Sequence, residues 1–160
     1  MRLQHRRRSA RGAASRQRVS HVHWGGGTPT TLPADCLTGI MDLIGRLFRL
    51  SPDAEIAIEL DPTALPTDRM AALAAMGVTR ASLGVQDLDP AVQAAIGRIQ
   101  SYEVTQACAR AVRGIGIEAL NLDLIYGLPR QRVQSATATA RMVLRLHAGR
   151  VAVFGYAHVP

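Results

Sequence analysis

From residue 19 onward the chain switches repeatedly between two spacings of apolar residues. Residues 20–24 alternate apolar and polar, predicting a half-buried strand. Leu37, Ile40, Met41, Ile44, Leu47 and Phe48 then recur at helical spacing, predicting a helix over 35–50 that Ser51-Pro52-Asp53 breaks. Residues 55–60 predict a second strand. A helix follows, with Thr67 at its N-cap, Met70 and Leu73 on one face and Gly77 just past its end. Residues 80–86 predict a third strand. Asp89-Pro90, a capping side chain followed by proline, starts a helix running to about residue 98. The next helix sets Val104, Ala107, Cys108, Ala111, Val112 and Ile115 on one side, with Gly114 and Gly116 closing it. Residues 119–125 predict a fourth strand ahead of the turn Tyr126-Gly127-Leu128-Pro129. A helix over 134–147 turns Ala140, Val143 and Leu144 inward, and residues 150–156 form a fifth strand.

Strands and helices alternating at these spacings imply an α/β fold of parallel strands joined by right-handed crossovers. A barrel and an open doubly wound sheet both satisfy the pattern, and in each the ligand sits at the C-terminal ends of the strands. Those ends are polar or bare: Gly25 to Thr28, Glu59 and Asp61, Gln86 and Asp87, Asp123, then Tyr156, Ala157 and His158. Three consecutive glycines add nothing to a core, so they suit a sharp bend or a ligand touching bare backbone. A carboxylate on such a rim accepts both hydroxyls of a ribose or pairs with an ammonium group. Arg98 is placed to meet a carboxylate with two hydrogen bonds. Spacing alone therefore points to a ligand bearing ribose and amine.

Composition narrows the setting. A chain of 160 residues, 48% hydrophobic, suffices for one modest core. No apolar run is long enough for a transmembrane helix, and no apolar stretch follows the basic start as a secretory signal requires. The +7 charge is local: Arg2, Arg6, Arg7, Arg8, Arg11, Arg16 and Arg18 precede the first acid, and the other basic residues balance the acids. Residues 1–18 read as a disordered arginine-rich tail, and 19–160 as the folded domain. The tail shares its Arg-rich, acid-poor character with transit segments and nucleic-acid arms, but a solvated extension is the simpler reading. The folded part carries no basic stripe for nucleic acid. Cys36 and Cys108 fit reduced thiols in a cytoplasmic protein; both fall in helical patterns, as small buried hydrophobes would. His21 and His23 alternate on one strand face in metal-ligand fashion, with His147 and His158 further on, yet read better as partly buried polar residues of a sheet wall. Trp24, Tyr126 and Phe154 read as packing residues.

Five blocks in order carry a resemblance: His23-Trp24-Gly25-Gly26-Gly27-Thr28-Pro29-Thr30, Ile58-Glu59-Leu60-Asp61-Pro62, Gly84-Val85-Gln86-Asp87, Asn121 through Pro129, and Tyr156-Ala157-His158-Val159-Pro160. They resemble oxygen-independent coproporphyrinogen III oxidase, a radical S-adenosylmethionine family of haem biosynthesis. Two of the blocks also occur in related haem-chaperone-like radical proteins. The resemblance implies a partial (β/α)6 barrel of TIM type. It implies oxidative decarboxylation of the propionates of coproporphyrinogen III to give protoporphyrinogen IX. The radical comes from S-adenosylmethionine cleaved by a reduced 4Fe-4S cluster, which needs an electron donor. The family holds two S-adenosylmethionine molecules. By motif position, Gly26 and Glu59 resemble contacts to the first, and Gly27, Thr28, Gln86, Arg98, Asp123 and Ala157 contacts to the second.

One departure stands out. The family's CxxxCxxC loop precedes the glycine block, where this sequence has the arginine tail and no cysteine before Cys36. The expectation is therefore a fragment lacking the first strand with its cluster loop and the last strand, without metal ligands or catalytic residues of its own. Such a piece is expected to hold no cluster, to be inactive alone and, with open sheet edges, to be poorly soluble or only partly folded. The resemblance otherwise implies a cytoplasmic monomer with no membrane contact. The alternatives are a fragment of the haem-chaperone-like relative, which binds haem, and a non-catalytic remnant whose tail binds nucleic acid.

Overall fold

The computed structural model describes residues 17–157. Five strands are present: β1 (Arg18–Trp24), β2 (Arg49–Leu60), β3 (Arg80–Gln86), β4 (Ala119–Tyr126) and β5 (Arg150–Gly155). Between them lie α1 (Ala34–Leu47), α2 (Thr67–Ala75), α3 (Pro90–Ala95), α4 (Tyr102–Gly114) and α5 (Val133–Leu144). The strands form one parallel sheet in the order β1-β2-β3-β4-β5. An open doubly wound sheet reverses direction partway through its strand order. This sheet never does, so the ambiguity resolves to an incomplete β/α barrel.

Period-two alternation decides which face each strand side chain takes. Ile58 and Leu60 on β2, Leu83 and Val85 on β3, and Leu120 and Leu122 on β4 are all buried. They join Leu37 and Met41 of α1, Leu73 of α2, Val112 of α4 and Val143 of α5 in one cluster. Burying each such side chain contributes about 2 kcal/mol. The core thus fills the space between sheet and helices. The alternate positions point to the other, concave face, where His23, Glu59, Ser82, Asn121, Asp123 and Phe154 line a cavity of about 190 Å³.

Several local expectations shift. The strand β1 opens at Arg18, inside the stretch read as tail; residues 1–16 of that tail lie outside the described residues, as does His158. Ser51-Pro52-Asp53 does not end the helix: α1 stops at Leu47, and the tripeptide lies inside β2, where Val19 pairs with Leu50 and His21 with Glu55, so it bulges from a ladder that resumes beyond it. Thr67 is the first residue of α2, whose N-cap is Pro66. Gly77, at φ +69, does end that helix, and Asp89 does cap α3, accepting from the amides of Ala91 and Val92. In α5 the inward residues are Thr139 and Val143; Ala140 and Leu144 face out. Cys36 is exposed, whereas Cys108 is buried as expected. His21 and His23 are exposed on the concave side, and Phe154 and Tyr126 are more than half exposed. Trp24 alone of the three aromatics packs against the core.

Candidate functional site: a polar rim on the concave face

The glycine block turns the chain away from β1. Gly26 and Gly27 sit at φ +85 and +76, the left-handed region that glycine enters without strain. Thr28 begins the next turn, its carbonyl accepting from the amide and the hydroxyl of Thr31. Gly25 is required for a different reason. A Cβ placed there would lie 2.7 Å from Glu59 Oε1 and 2.8 Å from His23 Nε2. These two atoms are themselves 3.1 Å apart, and Glu59 Oε2 accepts from the Gly26 amide at 3.3 Å. Gly25→Ala should therefore separate Glu59 from both His23 and the Gly26 amide. We expect the protein to remain folded with its melting temperature lowered by no more than a few degrees. The check is the Gly26 amide proton in NMR, which should move upfield as its carboxylate acceptor is displaced.

On the next strands, Asp123 is held in a tight triangle. The Ser82 hydroxyl donates to Asp123 Oδ2 and the Asn121 amide to Asp123 Oδ1, both at 2.6 Å. Asn121 also donates to Ser82 Oγ at 2.6 Å and accepts from Arg150 Nε at 3.1 Å. Below them Arg80 pairs with Glu55 at 2.8 Å, and that hydrogen bond holds the Glu55 carboxyl below its ordinary range. Pairing Glu59 with Ser82 and Gly84 with Asp123 across the ladder sets these groups side by side.

Gln86 closes β3 in an unusual state, φ 64 for a residue with a side chain, at an irregularity in the β3–β4 ladder. Arg98, reached after α3, folds back to the same point. Its Nη2 lies 3.1 Å from Asp61 Oδ1 and donates to the Gly84 carbonyl at 3.3 Å. Ala157 follows β5 and is exposed.

The structure thus brings Gly26 to Glu59, Glu59 and Asp123 to one cavity, and Gln86 and Arg98 to Gly84. Gly27 stands over open space, and Thr28 and Ala157 lie at the C-terminal ends of β1 and β5. Sequence reasoning assigned no role to Ser82, Gln100 or Gln131. The one signal it had for Ser82 was the polar alternation of Arg80 and Ser82 along a strand.

This donor set fits S-adenosylmethionine. Glu59 and Asp123 offer carboxylates for an ammonium group and ribose hydroxyls, Arg98 offers a cation for a carboxylate, and Gly26 and Gly27 offer backbone without side chains. A 4Fe-4S cluster does not fit. Cys36 lies on α1 and Cys108 on α4, and no group of three or more His, Cys, Asp or Glu able to hold a metal occurs among the described residues. Burial pushes the Cys108 thiol up to about 11, with Asp61 adding to the shift. None of the described helices is long and apolar enough to cross a membrane.

Known proteins resemble this chain in sequence and fold. The chain is 50% identical over 145 residues to oxygen-independent coproporphyrinogen III oxidase of Bradyrhizobium diazoefficiens, covering 91% of this chain and 32% of that protein. It is 46% identical over 143 residues to the oxidase of the same description from Paracoccus denitrificans, covering 89% and 32%. The structure of coproporphyrinogen III oxidase from Escherichia coli superimposes with a TM-score of 0.83 at 43% identity, over 89% of this chain and 33% of that one. The chain thus spans about a third of the length of these relatives. The radical SAM superfamily pattern matches residues 4–143, which take in β1 through most of α5 and every rim residue ahead of β5, and the chain belongs to that superfamily.

Proposed function

We propose that this chain is the S-adenosylmethionine-binding part of an oxygen-independent coproporphyrinogen III oxidase, acting on a small-molecule substrate in the cytoplasm as a monomer. The observation that carries the reading is the meeting of Glu59 and Asp123 on one cavity, beside the bare turn at Gly26 and the Arg98 guanidinium. Identity at 50% and 46% to oxidases of that description supports the substrate, coproporphyrinogen III.

Bound S-adenosylmethionine supplies the hydrogen-abstracting radical chemistry of the superfamily. This chain's own groups bind and orient it. Gly26 and Glu59 take the amino-acid end of one molecule. Gly27, Thr28, Gln86, Arg98, Asp123 and Ala157 surround a second, with Arg98 on its carboxylate and Asp123 on ribose hydroxyls. Asp123 arrives already oriented, because Ser82 and Asn121 fix both its oxygens, so little ordering cost remains for the ligand. The three thiolates of a cluster and the electron donor do not come from these residues.

Two experiments test the reading. Equilibrium dialysis should show S-adenosylmethionine binding in the micromolar range, weakened at least tenfold in Asp123→Ala. The oxidase assignment is tested by exchanging residues 19–157 for the matching third of the E. coli enzyme. An anaerobic chimera that carries its cluster should convert coproporphyrinogen III to protoporphyrinogen IX. A folded, cluster-bearing, S-adenosylmethionine-binding chimera without product would reject the oxidase and keep only the binding site.

A further inference from the structure

Behind the rim, Asp87, Gln93, Gln100, Thr105 and Thr139 make up five of the seven buried polar residues described. They form a connected chain of hydrogen bonds along the end of β3. One of them, Gln100, touches Arg98 directly. Gln100 is 1% exposed, and its Oε1 accepts from Arg98 Nε at 3.3 Å. Its Nε2 donates to the Gly84 carbonyl at 3.1 Å and to Thr105 Oγ1 at 2.9 Å. Thr105 Oγ1 spends its own proton on the Ser101 carbonyl, leaving a lone pair for Gln100. Two acceptors therefore claim the NH₂ end of the Gln100 amide and force the oxygen toward the guanidinium. A flipped amide would set N–H against N–H. The backbone of Gln100 is fixed as well, exchanging two hydrogen bonds with the Gln93 side chain.

With Nε on Gln100 and Nη2 on Gly84 and Asp61, Arg98 has a single guanidinium nitrogen, Nη1, without a protein acceptor among the described residues. The close fit leaves no slack. A Cβ at Gly84 would come within 3.0 Å of Gln86 Nε2 and 3.3 Å of Arg98 Nη2, so both side chains lie against bare backbone there.

We propose that Gln100 is a positioning residue that aims Arg98, and that through it the rim selects ligands bearing a carboxylate. The proposal rests on the S-adenosylmethionine reading above and adds the element that sets its carboxylate specificity. Without Gln100 Oε1, Arg98 keeps its charge but loses the restraint that presents Nη1, so the loss falls on carboxylate ligands alone.

The test uses the whole chain and two ligands, S-adenosylmethionine and its decarboxylated form, which keeps the sulfonium and the amine. Gln100→Leu should weaken S-adenosylmethionine about tenfold and change the decarboxylated ligand less than twofold. In an Arg98→Ala background it should cause no further loss, as coupled residues require. Equal losses for both ligands would reduce Gln100 to a structural part, and an unchanged S-adenosylmethionine affinity would remove its role; either overturns the proposal. A ligand-free readout separates this idea from the reading beneath it. Arg98 Nε–H exchange, followed by NMR, should be slow in the parent chain and faster in Gln100→Leu. If the parent binds neither ligand the binding reading fails. Faster exchange then still supports the aiming of Arg98, and unchanged exchange overturns it.

Discussion

Anaerobic incubation of the purified chain with ferrous iron and sulfide should give no stoichiometric 4Fe-4S absorption after gel filtration. Such a cluster is held by deprotonated cysteines. Cys108 is a poor candidate by its chemistry. It is buried in α4, and a thiol with a pKa of about 11 is ionised at neutral pH in roughly one molecule in ten thousand. Cys36 is accessible but sits on α1, on a different element, and the sequence holds only these two cysteines. Histidine and carboxylate do not make up the difference, since no cluster of three such groups is found among the described residues. The contrast with S-adenosylmethionine is sharp. The same rim that lacks thiolates carries two oriented carboxylates and a braced guanidinium. Binding of the nucleoside and assembly of the iron centre should therefore separate: dialysis positive, visible spectrum blank. A four-iron spectrum surviving gel filtration, and lost in Cys36→Ser, would show that the chain finds ligands by some rearrangement of α1.

Legibility in the sequence followed the physics of each element. The strands β3 and β4 were readable because alternation and burial coincide there. Leu83 and Val85 face the helices, while Ser82 lines the cavity and Gly84 alternates onto the same side of the strand. The rim was readable for the same reason, since a polar residue at the end of an apolar strand has few structural duties. The misreadings arose where a distant contact set the local answer. In α5 the apolar period favours Ala140 and Leu144. Thr139 turns inward instead because its hydroxyl reaches Asp87 and the Leu88 amide, 52 and 51 residues away. Cys36 and Phe154 looked like core residues by type, but Cys36 faces away from the sheet on α1 and Phe154 falls on the concave side of the edge strand β5. Gln93, Gln100 and Gln131 were invisible. A glutamine on or near a helix is unremarkable until the fold places buried acceptors around it.

The largest stability loss should follow Asp87→Ala. Asp87 is 1% exposed, yet no cation among the described residues touches it; three neutral donors satisfy it instead. Oδ1 accepts from Thr139 Oγ1 and the Asp89 amide, both at 2.7 Å, and Oδ2 accepts from Gln131 Nε2 at 2.6 Å. Gln131 uses its other end on the amides of Gly127 and Leu128, so Asp87 is the point where the loops after β3 and β4 are tied together. Alanine leaves three donors without this acceptor, and buried groups left unpaired cost about 1–3 kcal/mol each before relaxation. Gln131 keeps the Ile125 carbonyl as an acceptor, and water can reach the Asp89 amide once the carboxylate is gone, so the net loss should be about 3 kcal/mol in urea unfolding. That is a large share of the stability of a small domain. Asp87→Asn should cost less, about half as much. One oxygen still serves Thr139 and Asp89, while the new NH₂ meets the Gln131 NH₂, which cannot turn without abandoning Gly127 and Leu128. The loss should also reach the ligand, because Gln86, at a positive φ that surrounding structure must hold in place, directly precedes Asp87. If Asp87→Ala unfolds with less than about 1 kcal/mol of loss and binds S-adenosylmethionine normally, the two loops are held by packing of Leu88 and Leu128, and the buried carboxylate is not what ties the rim together.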